Sequence, residues 1–358
     1  MQYKYPVAKP ELTDHERDFV REAMGQGWIS SKGPHVKRFE EAFASFLGVR
    51  HAVACSSGTA ALILALDAIH IAPGDEVIVP EFTMVASAWA VTLTLGAKPV
   101  FVDCGDDLNI DVSKIEAAIT PKTKAIMPVH IYGRACDMDE IQRIANKHHL
   151  HIIEDCAEAH GARWNGREVG TFGKAAAFSL FANKIITSGE GGIVVTDDDA
   201  VAARMRKLVS MFFDEHHSFL HEETGYNFRM TNIQAAVALG QVNRINDILV
   251  KRINIRQWYD RHLRQFRTVP HDEGNVLWMY DVVAKNAERR DRTMAVLAKE
   301  GIETRFFFKP MSMQPMFAGR FEHLKAYDFS RRGLYLPTYN ELTESDVTKI
   351  ALIAKKYL

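Results

Sequence analysis

The chain has 358 residues, of which 47% are hydrophobic and 25% are charged, and its formal net charge is −1. This length exceeds that of one ordinary domain and predicts a large domain together with a smaller one. The balanced charge argues against nucleic acid or an anionic membrane as the main partner, because binding to either requires a basic face.

The cysteines and the N-terminal segment indicate the compartment. Cys55, Cys104, Cys136 and Cys156 show no CxxC spacing and lie in or beside apolar runs, which predicts free, buried thiols and no structural metal. The N-terminal stretch lacks the apolar segment of a signal peptide, and no apolar run reaches the ~18 residues that a bilayer span needs. We therefore expect a cytoplasmic protein that binds no membrane.

The first two thirds of the chain read as an α/β domain. Strands of valine, isoleucine and alanine without polar alternation are buried on both faces, as in a parallel sheet covered by helices. The predicted strands are 51–55, 76–80, 98–103, 124–130 and 151–156, and the apolar runs 175–181 and 193–196 close the sheet. The predicted helices are 11–24, 36–47, 59–70, 85–95, 112–119, 138–149 and 199–211.

The pattern changes in the last third of the chain. A long helix is predicted at 232–263, and after it strands at 276–284 and 303–308 accompany helices at 289–300 and 345–357. This arrangement predicts a small α+β domain. We divide the chain into a large domain, 1–245, and a C-terminal domain, 246–358, and the first ~20 residues are expected to pack near the latter.

Lys184 stands between an apolar run and the glycine-rich turn 189–192. Lysine is seldom buried without a reason, because desolvation penalises its charged form. A lysine held neutral in a dry pocket is a nucleophilic amine that forms Schiff bases with carbonyl groups. A surface lysine in a hairpin is the alternative that the local sequence leaves open.

Two strand ends complete a possible site with this lysine. The stretch Ser56-Ser57-Gly58-Thr59 opens a helix and is either a phosphate cradle or an ordinary helix cap. Asp155 follows Glu154 where a buried strand ends, and it either pairs with a protonated ring nitrogen or caps a solvated turn. A cradle, a carboxylate and a lysine are together what pyridoxal 5'-phosphate (PLP) requires.

Several longer motifs occur in a characteristic order. They are Trp28-Ile-Ser-Ser, Ser56-Ser-Gly-Thr-Ala-Ala-Leu, Pro73-Gly-Asp-Glu-Val-Ile-Val-Pro, Pro128-Val-His-Ile-Tyr-Gly, Glu154-Asp-Cys-Ala-Glu-Ala-His-Gly, Asn183-Lys184, Gly189-Glu-Gly-Gly and Gly225-Tyr-Asn-Phe-Arg-Met-Thr-Asn. By these motifs the chain resembles, nearly end to end, the DegT/DnrJ/StrS sugar aminotransferases among the fold-type I PLP enzymes. The resemblance implies an aspartate aminotransferase-like α/β fold, with a central mixed, mainly parallel sheet, and an obligate homodimer.

The resemblance also implies roles for individual residues. Lys184 would form the Schiff base and carry the proton between the amino donor and the cofactor, Asp155 would pair with the pyridine nitrogen, and Glu158 would contact the cofactor's O3′. The other implied cofactor contacts are Gly58, Thr59 and Ser179 at the phosphate, Met84 where relatives present an aromatic ring, and Asn227 from the neighbouring subunit.

The implied reaction transfers an amino group from L-glutamate to C4 of a nucleotide-linked 4-keto-6-deoxy sugar, with GDP as the preferred nucleotide. A 3-keto sugar, a UDP- or TDP-linked sugar, a sugar without a nucleotide, and a non-catalytic regulatory protein of the same fold stay open. A dehydratase of the same family is disfavoured, because those enzymes replace the lysine with histidine. Ser312 stands where relatives have a histidine near the sugar. The predicted sugar contacts are Trp28, Ser30, His130, Arg229 and Lys309.

Overall fold

The computed structural model describes residues 3–93, 96–213, 219–269, 272–319 and 324–358. Within these ranges the strands are β1 (His51–Cys55), β2 (Glu76–Pro80), β3 (Lys98–Val102), β4 (Thr123–Ile126), β5 (His151–Asp155), β6 (Arg163–Trp164), β7 (Arg167–Glu168), β8 (Ala175–Ser179), β9 (Gly192–Thr196), β10 (Tyr280–Val283), β11 (Arg305–Phe306) and β12 (Gly333–Leu336). The helices are α1 (Asp14–Gly25), α2 (Pro34–Leu47), α3 (Gly58–Ala68), α4 (Val85–Leu93), α5 (Met138–His148), α6 (Asp199–Leu208), α7 (Asn232–Asn243), α8 (Ile245–Leu263), α9 (Ala287–Lys299), α10 (Lys325–Arg332) and α11 (Glu344–Lys355).

The main sheet of the described residues has seven strands in the order β1-β9-β8-β5-β4-β2-β3. Strands β8, β5, β4, β2 and β3 pair in parallel, while β9 runs antiparallel to both of its neighbours. The predicted α/β fold with a mixed, mainly parallel sheet is confirmed. Because the parallel strands point the same way, their carboxyl ends meet along one edge of the sheet.

Both faces of this sheet are covered. Along β8, Ala176 and Phe178 belong to the apolar cluster on one face, whereas Ala175 and Ala177 belong to the cluster on the other. Helix α3 packs on the second face and is buried around nearly its whole circumference. A strand with two apolar neighbourhoods has no polar side, which is why the strand sequences show no alternation.

A second sheet of three antiparallel strands, in the order β10-β12-β11, lies in the C-terminal part of the chain. Its own apolar cluster includes Tyr259, Tyr280 and Ile350. Tyr5 of the N-terminal segment joins this cluster and pairs with Ile302. The N-terminal segment thus contacts the C-terminal part, although the division at residue 245 stays a prediction.

The structure corrects several predicted elements. The helix expected at 112–119 is two short 3-10 turns, and the helix expected at 232–263 is interrupted at Arg244. Helix α10 and strand β12 were not predicted. Strand β12 has four residues and forms through its pairing with β10 and β11.

The cysteines and the apolar segments complete the description of the fold. The four cysteines are free and buried, as predicted. No helix in the described ranges combines the length and the apolar character needed to cross a membrane.

Candidate active site

A cavity of about 380 Å³ opens at the carboxyl edge of the main sheet. Its walls come from the ends of β1, β2, β4, β5 and β8 and the segments that follow them, from the turn that precedes β9, and from the C-terminal part of the chain. The described residues that line it are Ser57, Gly58, Thr59, Leu62, Thr83, Met84, Ala86, Val129, Asp155, Ala157, Glu158, Ser179, Phe181, Asn183, Lys184, Glu190, Gly191, Trp278, Phe308 and Tyr335. The three constellations predicted from sequence therefore meet in one place.

One wall of the cavity is the N-terminal end of α3. The Ser57 hydroxyl accepts the amide of Ala60 at 3.1 Å, and the Ser57 carbonyl accepts the amide of Ala61. The amides of Gly58 and Thr59 lie in the first helical turn, where no helix carbonyl is available to them. With the positive end of the helix dipole, they form a site suited to a phosphate group.

Gly58 is required at this wall because Ser179 lies directly against it. A Cβ atom at position 58 would approach the Ser179 Cβ to 2.7 Å and its Cα to 3.2 Å, closer than van der Waals contact permits. The missing side chain therefore brings the two phosphate-facing segments together.

Replacing Gly58 with alanine should push these segments apart. We expect Gly58→Ala to lose about 1–3 kcal/mol of stability, as overpacked sites do, and to bind PLP at least several-fold more weakly. Thermal unfolding and a PLP titration measure the two effects. The matched control is Gly25→Ala at the end of α1, where an added Cβ meets nothing within 4 Å. Equal stability and equal PLP affinity of the two variants would contradict a phosphate site at Gly58.

Asp155 ends β5 and turns its carboxylate toward the cavity. Its Oδ2 accepts the Ser87 hydroxyl at 2.7 Å, and its Oδ1 accepts the Ala157 amide at 3.1 Å. Burial raises the pKa of Asp155, and these two hydrogen bonds oppose the shift. A carboxylate held in this way can pair with a cationic ring nitrogen.

Glu154, the adjacent acid, has a different role. Its carboxylate accepts the backbone amides of Gly170, Phe172 and Gly173 and contacts His130 Nε2 at 3.2 Å. Because neighbouring strand residues point to opposite faces, only Asp155 of the pair reaches the cavity. Glu154 fastens the segment before β8 to the sheet.

His130 is another of the predicted sugar contacts. It is fully buried, its Nδ1 accepts the Cys136 amide at 3.0 Å, and its Nε2 faces Glu154. Both ring nitrogens are therefore occupied inside the protein. His130 is absent from the cavity lining described for this chain, and its contact with a sugar stays a prediction.

Lys184 is not the surface lysine that its local sequence allowed. Its side chain is only 10% exposed, and its Nζ lies 3.8 Å from Glu158 Oε1. The same nitrogen lies 4.1 Å from the centre of the Trp278 ring. Burial lowers the pKa of Lys184, while Glu158 and Asp155 oppose that shift. The lysine can therefore supply a neutral amine at a lower pH than an exposed lysine.

Glu158 lies between Lys184 and the backbone of Tyr132, whose amide donates to Glu158 Oε2 at 2.9 Å. Tyr132 and Gly133 both have left-handed backbone conformations, with φ of 54° and 87°. Such a conformation is costly for tyrosine. Burial raises the pKa of Glu158 to about 7, with Lys184 and the Tyr132 amide opposing the shift. Glu158 can therefore accept or release a proton near neutral pH.

This raised pKa predicts a pH-dependent stability. The fold prefers the protonated carboxyl, so the stabilisation is complete below pH 4.5 and is lost as the pH rises through about 7. Glu158→Gln removes that loss. We expect its melting temperature, relative to wild type, to rise by about 5 °C between pH 5 and pH 8 in the cofactor-free protein. The exposed Glu288→Gln should follow the wild-type curve, and parallel curves for Glu158→Gln would refute the assignment.

Three aromatic residues of the cavity were missed by sequence reasoning. Trp278, Phe308 and Tyr335 line it from the C-terminal part of the chain. The Trp278 indole donates to the Asn183 carbonyl at 2.8 Å, beside Lys184. These rings lie 94, 124 and 151 positions after the lysine in the sequence, so no local motif signals them. The packing of the C-terminal part of the chain brings them to the cavity.

All of the predicted cofactor residues except Asn227 line the cavity. Gly58, Thr59, Met84, Asp155, Glu158, Ser179 and Lys184 all line the cavity. Asn227 is exposed and is absent from the cavity lining described for this chain. A contact from Asn227 to a cofactor stays a prediction that requires a second subunit.

The other predicted sugar contacts are also absent from the described lining. Trp28 and Ser30 are exposed in the loop before α2, and Arg229 borders a separate surface depression. Lys309 is exposed and directly follows Phe308, which lines the cavity. Ser312 is buried, where its hydroxyl and amide both donate to Glu81. The contacts of the four exposed or peripheral residues with a sugar stay predictions.

A buried lysine, a strand-end carboxylate and a helix N-terminus meet in one cavity, and this set suits a phosphate-bearing cofactor that forms a Schiff base. The chain belongs to the DegT/DnrJ/EryC1/StrS aminotransferase family, whose model matches residues 10–354. It is 46% identical over 359 residues to the GDP-perosamine synthase of Caulobacter vibrioides, covering 96% of this chain and 95% of that protein.

Solved structures agree with this assignment. DesV from S. venezuelae, in complex with a ketimine intermediate, superposes with a TM-score of 0.89 at 33% identity, and the match covers 98% of each chain. The PLP-form of Spr1654 from Streptococcus pneumoniae superposes with a TM-score of 0.92 at 27% identity, covering 99% of this chain and 100% of that one.

Proposed function

We propose that the protein uses PLP to transfer an amino group from L-glutamate to a nucleotide-linked 4-keto-6-deoxy sugar. The observation that carries the proposal is the buried amine of Lys184, 3.8 Å from Glu158, in a cavity that also contains Asp155 and the N-terminus of α3. The cofactor, when bound, supplies an electron sink for the reaction. Lysine, carboxylate and cradle supply the three contacts that this cofactor needs.

Each group of cavity residues has its own role in this proposal. Lys184 offers a neutral amine because it is desolvated, and the same nitrogen could act as the base that moves a proton. Asp155 would hold the cofactor's ring nitrogen protonated, and the α3 amides with Thr59 and Ser179 would hold its phosphate. The Trp278 ring shields the amine from water, and Phe308 and Tyr335 add apolar surface to the same cavity.

For the sugar substrate we propose GDP as the nucleotide and C4 as the aminated carbon. The name of the Caulobacter relative, GDP-perosamine synthase, supports this choice, as does the same name for an Escherichia coli O157:H7 relative at 41% identity. Amination at C3 or use of UDP- or TDP-linked sugars is the alternative.

The substrate assignment is tested by loading the enzyme with amine from glutamate and then adding keto-sugars one at a time. Return of the visible cofactor absorbance reports amine transfer. The GDP-linked 4-keto-6-deoxy sugar should react at least roughly a hundredfold faster, as kcat/KM, than its UDP and TDP counterparts. Faster reaction with either counterpart would refute GDP specificity while leaving the transaminase assignment intact.

We also propose a homodimer with shared active sites. The rim of the cavity carries Met84 and Phe181, which are 49% and 43% exposed in this chain, and apolar rims of this kind favour a protein partner. The exposed Asn227 would then reach the neighbouring cavity. A cytoplasmic location also stays a prediction.

Mixing two inactive variants tests whether each active site contains residues from both subunits. Lys184→Ala and Asn227→Ala homodimers should both be nearly inactive, since each site lacks one residue. In an equal mixture of exchanging subunits, half of the dimers are mixed and each has one intact site, so about one quarter of wild-type activity should return. If Asn227 acts within its own subunit, mixing will restore nothing.

A further inference from the structure

A hydroxyl pair behind Asp155 lies outside every motif considered above. Ser87, in the first turn of α4, is buried, and its hydroxyl lies 2.7 Å from Asp155 Oδ2. The hydroxyl of Thr83 lies 2.9 Å from that of Ser87. Thr83 lines the cavity and is also buried. Three polar side chains thus form a continuous chain that ends on the carboxylate.

The direction of the hydrogen bonds in this chain follows from the number of protons. An ionised carboxylate only accepts hydrogen bonds, so the single hydroxyl proton of Ser87 is donated to Asp155. Thr83 must then be the donor to Ser87. Each bond polarises the next, which strengthens the final contact to the carboxylate.

The Asp155 carboxylate depends on these hydrogen bonds because its burial disfavours the charged form. Asp155, the last residue of β5, is only 4% exposed, and its partners on the two sides are the apolar residues Ala177 of β8 and Val129, which follows β4. Apart from Ser87, its side chain accepts the amide of Ala157. Attraction to Lys184 also favours the charged carboxylate, but Lys184 is itself desolvated. The Ser87 hydroxyl is therefore the main side-chain donor that favours the ionised form.

We propose that Ser87, supported by Thr83, is a positioning residue that holds Asp155 ionised and oriented toward the ring nitrogen of the bound cofactor. The proposal rests on the PLP part of the proposed function and is independent of the sugar. It differs from a purely structural role, because a hydroxyl that only satisfied the α4 turn would affect any ligand of the cavity equally.

Two cofactors that differ at one atom separate these roles. PLP has a ring nitrogen for Asp155 to bind, whereas 1-deazapyridoxal phosphate has a carbon there and is otherwise matched. Dissociation constants for both are measured on cofactor-free wild type, Ser87→Ala, Thr83→Val and Thr92→Val. Thr92 is on the same helix, but its hydroxyl donates to the Trp89 carbonyl, so Thr92→Val is the matched control.

We expect Ser87→Ala to weaken PLP binding about tenfold and 1-deazapyridoxal phosphate binding less than twofold, since a hydrogen bond to a charged group is lost. Thr83→Val should weaken PLP binding about threefold with the same selectivity, and Thr92→Val should match wild type. Because Thr83→Val leaves Ser87 in place, it carries the test if Ser87→Ala does not fold.

Other results would overturn the proposal. Equal weakening of both cofactors shows a structural role for the hydroxyl, and unchanged PLP affinity in Ser87→Ala shows that Asp155 does not depend on it. Failure of wild type to bind PLP at all would instead refute the cofactor assignment. The two failures are therefore distinguishable.

Discussion

Lys184→Ala is expected to abolish the covalent capture of PLP and to lower the rate of the glutamate half-reaction by at least roughly 10³-fold. The reason is chemical. The variant loses both the amine that reacts with the cofactor's aldehyde and the base that moves the proton. Absorbance of the bound cofactor measures the first loss, and a stopped-flow reaction with L-glutamate measures the second.

A second lysine variant shows whether the effect is specific. Lys122 is exposed, directly precedes β4 at the end of the strand opposite the cavity, and is absent from the cavity lining, so Lys122→Ala should retain wild-type absorbance and rate. Added methylamine, which can replace a missing lysine side chain, should restore part of the Lys184→Ala rate. Full activity of Lys184→Ala without any added amine would reject the proposed chemistry.

Asp155→Asn should separate activity from stability. The neutral amide cannot hold a ring nitrogen protonated, so we expect kcat/KM to fall by roughly 10²–10⁴-fold. Stability should change little. Burial raises the pKa of Asp155, so at neutral pH its charge destabilises the fold, and removing the charge offsets the weaker contact with the Ala157 amide.

Melting temperature and steady-state kinetics on the same preparations measure the two effects. We expect the cofactor-free Asp155→Asn protein to melt within about 3 °C of wild type. The exposed Asp199→Asn, which loses its surface ion pairs with Arg50 and His51, is the control. Activity of Asp155→Asn within threefold of wild type would show that the carboxylate does not tune the cofactor.

Sequence patterns were most reliable for short, buried strands. The predicted strands 51–55 and 76–80 coincide with β1 and β2, because each is an uninterrupted apolar run bounded by turn residues. Strand β12 lies beside a helix rich in charge and is formed by pairing with β10 and β11, which local sequence cannot show. The break in the helix at Arg244 was also not predicted, because it depends on contacts with distant segments. Apolar residues continue on both sides of it, while its guanidinium binds Glu11 and Glu16 from the N-terminal segment.

The sequence by itself determined the chemistry of the site: an amine at Lys184, a carboxylate at Asp155 and a helix N-terminus at Gly58. These residues follow strand ends, and the edge of a parallel sheet gathers strand ends in one place. Only the tertiary structure decided that Asp155 rather than Glu154 faces the cavity, and that His130 belongs to the core. It also placed Trp278 against Lys184. Those outcomes depend on which side of a doubly covered sheet each residue points to, and on contacts between segments far apart in the chain.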